Sequence, residues 1–178
     1  MAIQNKKVFE MLLAQHGREI GNYYFYLNIA AHYENKNYRG FAKYFRDAAN
    51  EEKEHADKVA DYLFKKQYKV NMFPMPEARD MPNDMTDEVI AEARLEIEEM
   101  TSEEWNAIYE TAKGKYGIVP KNGKMAYQET EPCEPSVAQT IATEFIQIQD
   151  SEEQEANDFL ARVRMASNIL ILDKELME

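Results

Sequence analysis

The sequence predicts an all-α protein, a four-helix bundle with one long crossover and a small hairpin inserted between its third and fourth helices. Three observations predict it. Apolar residues recur with a period near 3.6 over four long stretches. A proline-broken stretch too long for a tight turn separates the second from the third, and Asn122-Gly123 between apolar flanks signals a hairpin before the fourth. With only 6 Gly and 6 Pro in 178 residues, several of them clustered between the periodic stretches, most of the chain is free to be helical. That length suits one domain over residues 1–178.

The first helix is expected over residues 6–34, where Val8, Met11, Leu12, Ile20, Tyr23, Tyr24, Leu27 and Ala31 follow the period and Asn35-Lys36-Asn37 ends it. A second amphipathic stretch, 38–67, carries Phe41, Tyr44, Phe45, Ala48, Ala49, Ala56, Val59, Ala60, Leu63 and Phe64. The short connection makes these two antiparallel neighbours. Residues 70–85 hold Pro74, Pro76 and Pro82 and can serve as the crossover along the bundle. Thr86, Asp87 and Glu88 then form a helix start, a capping hydroxyl followed by acids at the positive end of the dipole. This third helix runs to about Lys113, before Gly114. The fourth is expected over 136–167 through Val137, Ile141, Phe145, Ile148, Phe159, Leu160 and Val163, leaving a short apolar tail, Ile169-Leu170-Ile171-Leu172. Between the last two helices, residues 118–127 are expected to form the hairpin.

A net charge of −12 repels phosphate backbones and anionic lipid, so neither nucleic acid nor a membrane is an expected partner, whereas hydrated cations are attracted. Solubility alone would explain that charge equally well. Cys133 is the single cysteine, which permits no intrachain disulfide and no thiolate zinc cluster. No stretch resembles a signal peptide or a membrane span, and the expected location is the cytoplasm.

The string Asn50-Glu51-Glu52-Lys53-Glu54-His55 carries the chemistry. Glu52 and His55 at i, i+3 lie on one helix face and can ligate one metal. Such a pair is common by chance on a wet face, so its context decides. Glu19 sits among Ile20, Tyr23, Tyr24, Tyr26 and Leu27, where an unpaired carboxylate would be costly. Glu96 lies between Leu95 and Ile97, and the fourth helix offers Glu152, Glu153, Gln154 and Glu155. Each helix can thus supply an acid or amide to one interior site, although the runs around Glu96 and Glu153 would also suit solvated faces. Carboxylates plus one imidazole suit ferrous and ferric iron.

At these residues the chain resembles the ferritins. The likeness runs from Glu19 through Tyr26, through Phe41-Ala42-Lys43-Tyr44-Phe45, and through Glu51-Glu52-Lys53-Glu54-His55-Ala56. It resumes at Ala93-Arg94-Leu95-Glu96, and again from Phe145-Ile146 to Glu153-Gln154. The resemblance implies a non-haem ferritin with a ferroxidase centre. Glu19, Glu52 and His55 would hold one iron, Glu52 would bridge to a second held also by Glu96, and Gln154 and Tyr26 would stand beside the pair. Glu51, with Glu153, would form an accessory third iron site. The implied partners are Fe(II), dioxygen or hydrogen peroxide, and further copies of the chain, twenty-four to a hollow shell.

Two departures limit the likeness. Histidine occurs only at His16, His32 and His55, so the last helix lacks the second Glu-x-x-His of bacterioferritins and rubrerythrin-type proteins. His16 and His32 fall outside the motif. The insertion at 114–135 matches nothing in ordinary ferritins and lies where a subunit would meet its neighbours. A small oligomer that detoxifies iron or peroxide without storing it is therefore the alternative, and a bundle with its acids on wet faces is a third reading.

Overall fold

The computed structural model describes residues 6–75, 79–118, 126–129 and 138–178. Four long helices carry the fold: α1 (Lys6–Asn35), α2 (Arg39–Lys65), α3 (Asp87–Ala112) and α4 (Gln139–Met165). A short helix, α5 (Ile169–Glu175), follows them, so the apolar tail of the sequence is itself helical. Two strands, β1 (Lys115–Ile118) and β2 (Ala126–Glu129), pair antiparallel with Lys115 opposite Glu129 and Ile118 opposite Ala126. That pairing is the expected hairpin, set slightly wider than 118–127. Its Asn122-Gly123 turn lies outside the described residues, as does Cys133.

Helix ends follow local chemistry. Asn37, at φ 61°, takes the left-handed position after α1, a conformation asparagine tolerates better than most residues. Gly114, at φ 94°, does the same after α3. Thr86 caps α3 by accepting a hydrogen bond from the Val89 N–H at 3.4 Å.

Contacts along the bundle set its directions. Tyr33 stacks on Phe41 at one end of the α1–α2 pair, and Asn22 meets Glu52 near the middle, so these helices run antiparallel. Trp105 stacks on Phe145 while Arg94 meets Glu155, so α3 and α4 are antiparallel too. Tyr26 bonds Glu98 and Glu19 bonds Trp105, which opposes α1 to α3. Consequently α2 and α3 point the same way, and the chain between Lys65 and Asp87 must travel the length of the bundle to join them. Pro74 lies against Gly17, 3.4 Å from where a β-carbon would stand, and Phe73 packs on His16. Among the described residues no helix is long and apolar enough to cross a membrane.

The core is in two parts. One apolar cluster gathers Ile29, Tyr33, Phe41, Phe45, Ile90 and Phe159, and the other Leu12, Val59, Leu63, Trp105, Ile108 and Phe145. Between them lies a buried polar layer: Glu19, Asn22, Glu52, His55, Glu98, Thr101 and Gln149.

Helix α5 docks on the start of α2, where no side chain of its own caps the helix. Asp173 fills that role from α5 by accepting the Phe41 N–H at 3.0 Å. The approach requires a glycine, because a β-carbon on Gly40 would stand 1.6 Å from the Asp173 carbonyl oxygen. Gly40→Ala should therefore displace α5 at a cost of about 1–3 kcal/mol, typical of overpacking. Thermal melting and limited proteolysis of the C-terminal segment check this, and an unchanged melt with a protected tail would refute the docking.

Candidate metal centre

The polar layer is built by helical phase. On α1, Gln15, Glu19, Asn22 and Tyr26 recur every three or four residues and bring one polar stripe inward. Glu52 and His55 do the same on α2. On α3 the inward stripe is Arg94, Glu98, Thr101 and Trp105, and on α4 it is Phe145, Gln149, Glu152 and Ala156.

Glu19, Glu52 and His55 each point a ligand atom to a common place, and these atoms all lie within 4.8 Å of one another. One oxygen of Glu19 is held by the Gln15 amide at 2.9 Å and the Trp105 indole N–H at 3.2 Å, while the other has no partner. One oxygen of Glu52 accepts from the Asn22 amide at 3.2 Å, and the other lies 3.7 Å from His55 Nδ1 without a hydrogen bond. Glu98 accepts from the Tyr26 hydroxyl at 2.6 Å on one oxygen and leaves its second unpartnered. The His55 Nδ1 makes no hydrogen bond, and its Nε2 lies 3.4 Å from Glu152 Oε1. Gln149 donates to the other oxygen of Glu152.

Every acid of the layer is thus gripped on one side and open on the other. Buried polar atoms without hydrogen bonds are rare and costly, and those of Glu19, Glu52 and His55, gathered at one place, fit a cation that would complete them. Beside the triad lies a cavity of about 10 Å³, bounded by Tyr26, Glu51, Glu52, Arg94, Glu98 and Glu152, large enough for one more small ion or water.

Charge tells the same story. Burial pushes the Glu52 carboxyl far up, and the neighbouring Glu19 and Glu98 push it further. Burial raises Glu98 to about 7 even though the Tyr26 hydrogen bond and Arg94 pull it down. Glu152 rises to about 9, through burial first and then the charges of Glu98, Glu19 and Glu51. Burial lowers His55, leaving a neutral imidazole able to ligate. The Tyr26 phenol, fully enclosed beside Glu98 and Glu52, is raised and stays protonated.

The structure brings Glu19, Glu52, His55 and Tyr26 together, but not every residue singled out by sequence. Glu96 is exposed on the outer face of α3; a residue two positions away in a helix is turned by about 200° from Glu98, which is the acid that points inward. Gln154 is likewise exposed, and the buried amide of α4 is Gln149. Glu51 is exposed but edges the small cavity. Glu153 is half-buried, with its carbonyl accepting from Asn157. His16 packs on Phe73 and His32 on Tyr33, both away from the cluster. Sequence reasoning missed Glu98, Gln149, Asn22, Thr101 and the indole of Trp105. It named Glu152 only as one of three acids beside an amide on the fourth helix. The phase of Ile90, Arg94, Ile97 and Trp105 on α3, and of Phe145, Ala156 and Phe159 on α4, could have found them.

A bundle with one long crossover and an acid-plus-imidazole layer across its middle has the architecture of the carboxylate metal-binding bundles. The chain belongs to the ferritin family: a family model described as the ferritin-like domain matches residues 9–118. Membership supports iron storage or ferroxidation in general terms. Among solved structures, an open-pore ferritin from the hyperthermophilic archaeon Archaeoglobus fulgidus aligns with a TM-score of 0.76 and 22% identity, over 98% of each chain. A humanized archaeal ferritin aligns with a TM-score of 0.77 and 21% identity, over 98% of this chain and 96% of its own. An alanine variant of PmFTN soaked in iron gives 0.77 at 17% identity, over 94% of this chain and 98% of its own. At these identities the likeness speaks for the fold alone. Curated protein sequences offered no match.

Raised carboxyls have a consequence for stability. Between the ordinary value of 4.5 and the folded values of about 7 for Glu98 and about 9 for Glu152, the folded chain binds more protons than the unfolded one. The metal-free protein should therefore lose stability as pH rises through that window, by roughly 3 kcal/mol for Glu98 alone. A divalent cation binds the ionised acids and should stabilise more at about pH 8 than at about pH 5.5. Melting curves at the two pH values with and without Zn²⁺ measure both effects. A metal-free melt that rises between them would contradict the charge assignment.

Proposed function

We propose that the chain oxidises Fe(II) with dioxygen, or with hydrogen peroxide, at a two-iron centre formed by Glu19, Glu52, His55 and Glu98 with Glu152 at its edge. The ferric product then passes into a mineral inside a cage of identical subunits, a 24-mer in the cytoplasm. The whole chain acts as one ferritin-like unit. The observation that carries this reading is the set of free carboxylate oxygens and the free His55 nitrogen converging on one buried place.

The first ferrous ion takes Glu19, Glu52 and His55. A second takes the small cavity, sharing Glu52 and held by Glu98 and Glu152. Gln15, Trp105 and Asn22 fix the far oxygens of Glu19 and Glu52, so those carboxylates need little reorganisation when iron arrives. Each ferrous ion gives up one electron; dioxygen takes two electrons and two protons and leaves as hydrogen peroxide. Carboxyls that bind iron release protons as they ionise, so protons are at hand for that reduction. Tyr26, hydrogen-bonded to Glu98, positions that acid. Glu51, at the cavity's edge, offers an outward path and the place of a third iron, with Glu153 farther along α4.

Stopped-flow oxidation of Fe(II) under air tests the centre. Glu52→Ala should reduce the rapid phase to the rate of iron in buffer alone, because it serves both ions. Glu98→Ala should do nearly the same, whereas Glu96→Ala should oxidise iron like the parent. Loss of the rapid phase in Glu96→Ala, with Glu98→Ala unaffected, would show the third-helix assignment to be wrong.

Storage depends on assembly. Replacing residues 116–129 with a short Gly/Ser linker removes none of the proposed ligands, and should leave the helices folded while reducing particle mass or slowing iron uptake. Light scattering on the parent and the variant decides this. A parent particle of a few 20.8 kDa chains would favour a small detoxifying oligomer over a cage. An unchanged particle and uptake in the variant would make the hairpin a passive loop.

A further inference from the structure

One cation borders the acidic cavity, and the chemistry above makes no use of it. Arg94 is 2% exposed, a burial that arginine rarely accepts without full pairing. Its guanidinium carbon lies 4.6 Å from the centre of the Tyr44 ring and 6.0 Å from that of Phe159. Nη2 donates to Glu155 at 3.3 Å. Nε, however, stays 4.0 Å from Glu98, and both Nε and Nη1 lack a hydrogen bond. Glu98 in turn gives one oxygen to Tyr26 and keeps the other free. Arg94 and Glu98, four residues apart on one helix face, thus border the same cavity with no hydrogen bond between them.

We infer that Arg94 is a fixed cation that sets the order and tightness of metal loading, weakening the half-site at Glu52, Glu98 and Glu152 relative to the one at Glu19, Glu52 and His55. This rests on the two-iron reading above. Arg94 lines the second half-site's cavity, whereas neither Glu19 nor His55 does, so its field falls mainly on the second ion. A guanidinium cannot be deprotonated, and the aromatic rings of Tyr44 and Phe159 keep it from swinging away. A dication feels this field twice as strongly as a proton. Removing the charge therefore favours metal over proton at Glu98, even though that carboxyl also gains proton affinity. An ion loosely held beside one tightly held is also one that can leave after oxidation.

The test is calorimetric titration of the metal-free assembled protein with Zn²⁺, which binds but cannot be oxidised. The parent should bind two ions per chain, the second at least about tenfold more weakly than the first. Arg94→Gln should tighten the second by about tenfold or more and change the first by less than about threefold. Arg94→Lys, which keeps the charge, should retain the parent's gap. If Arg94→Gln does not fold, Arg94→Met keeps the unbranched stem between the rings and carries the same expectation. Equal affinities in the parent would overturn the inference, as would a second affinity unmoved by Arg94→Gln, or glutamine and lysine variants that shift alike. A parent that binds no Zn²⁺ at the cluster would remove the two-iron reading itself.

Discussion

The fold turns on a conflict: several carboxylates are buried across the middle of a helical bundle, with too little positive charge to balance them. Two apolar clusters, one around Phe41 and Phe45 and one around Trp105 and Phe145, close the layer off from above and below. That enclosure stabilises the helices and at the same time removes water from the acids. Burying a charge without a partner costs several kcal/mol or shifts its protonation. Here burial raises the carboxyls of Glu52, Glu98 and Glu152, which favours their protonated forms. The enclosure that stabilises the helices therefore works against the ionised forms of these acids.

The surroundings of the layer explain why it stays organised despite this cost. Each inward acid has one oxygen held by a neutral donor from a neighbouring residue or helix: Gln15 and Trp105 for Glu19, Asn22 for Glu52, and Tyr26 for Glu98. Neutral donors orient a carboxylate without satisfying its charge. Lysines in their place would have closed the site with salt bridges and left nothing for a metal. Among the described residues the buried cation beside the cavity is Arg94, which lies over the Tyr44 ring, donates to Glu155 and stands 4.0 Å from Glu98.

Sequence periodicity read the bundle well because four helices that bury one stripe each must show a 3.6 period, and a chain with two parallel consecutive helices must carry a long connection. It read the triad because Glu19 is flanked by aromatic residues and because Glu52 and His55 share a face. It placed Glu96 inward, where the structure has it exposed, and the reason is physical. In Glu92–Glu99 acids occur on every side of the helix, and apolar neighbours in sequence, Leu95 and Ile97, say nothing about which acid shares their face. Phase measured from Ile90 and Trp105 picks Glu98 instead. The same holds on α4, where four consecutive polar residues, Glu152 to Glu155, span the full circumference, and Phe145, Ala156 and Phe159 align with Gln149 and Glu152. Helix α5 was visible only as a short apolar tail, since what makes it a helix with a place is a tertiary contact, Asp173 on the bare start of α2.

The crossover, which sequence marked as such without indicating what it would touch, turns out to reach the polar layer. Its Arg79 donates from Nε to the Asn22 side-chain oxygen at 2.6 Å, and the Asn22 amide in turn donates to Glu52. That chain of bonds fixes which way the Asn22 amide faces, because its oxygen is taken by Arg79 and only its nitrogen can turn to Glu52. A connection forced to run the length of the bundle by helix direction therefore also orients the acid shared by both proposed half-sites. Pro74 against Gly17 and Phe73 on His16 hold the same segment down over α1, so the orientation is built from packing on one side and a hydrogen bond on the other. Topology and chemistry meet at Asn22. The parallel arrangement of α2 and α3 demands a long strap, and the strap supplies the donor that sets the geometry of Glu52.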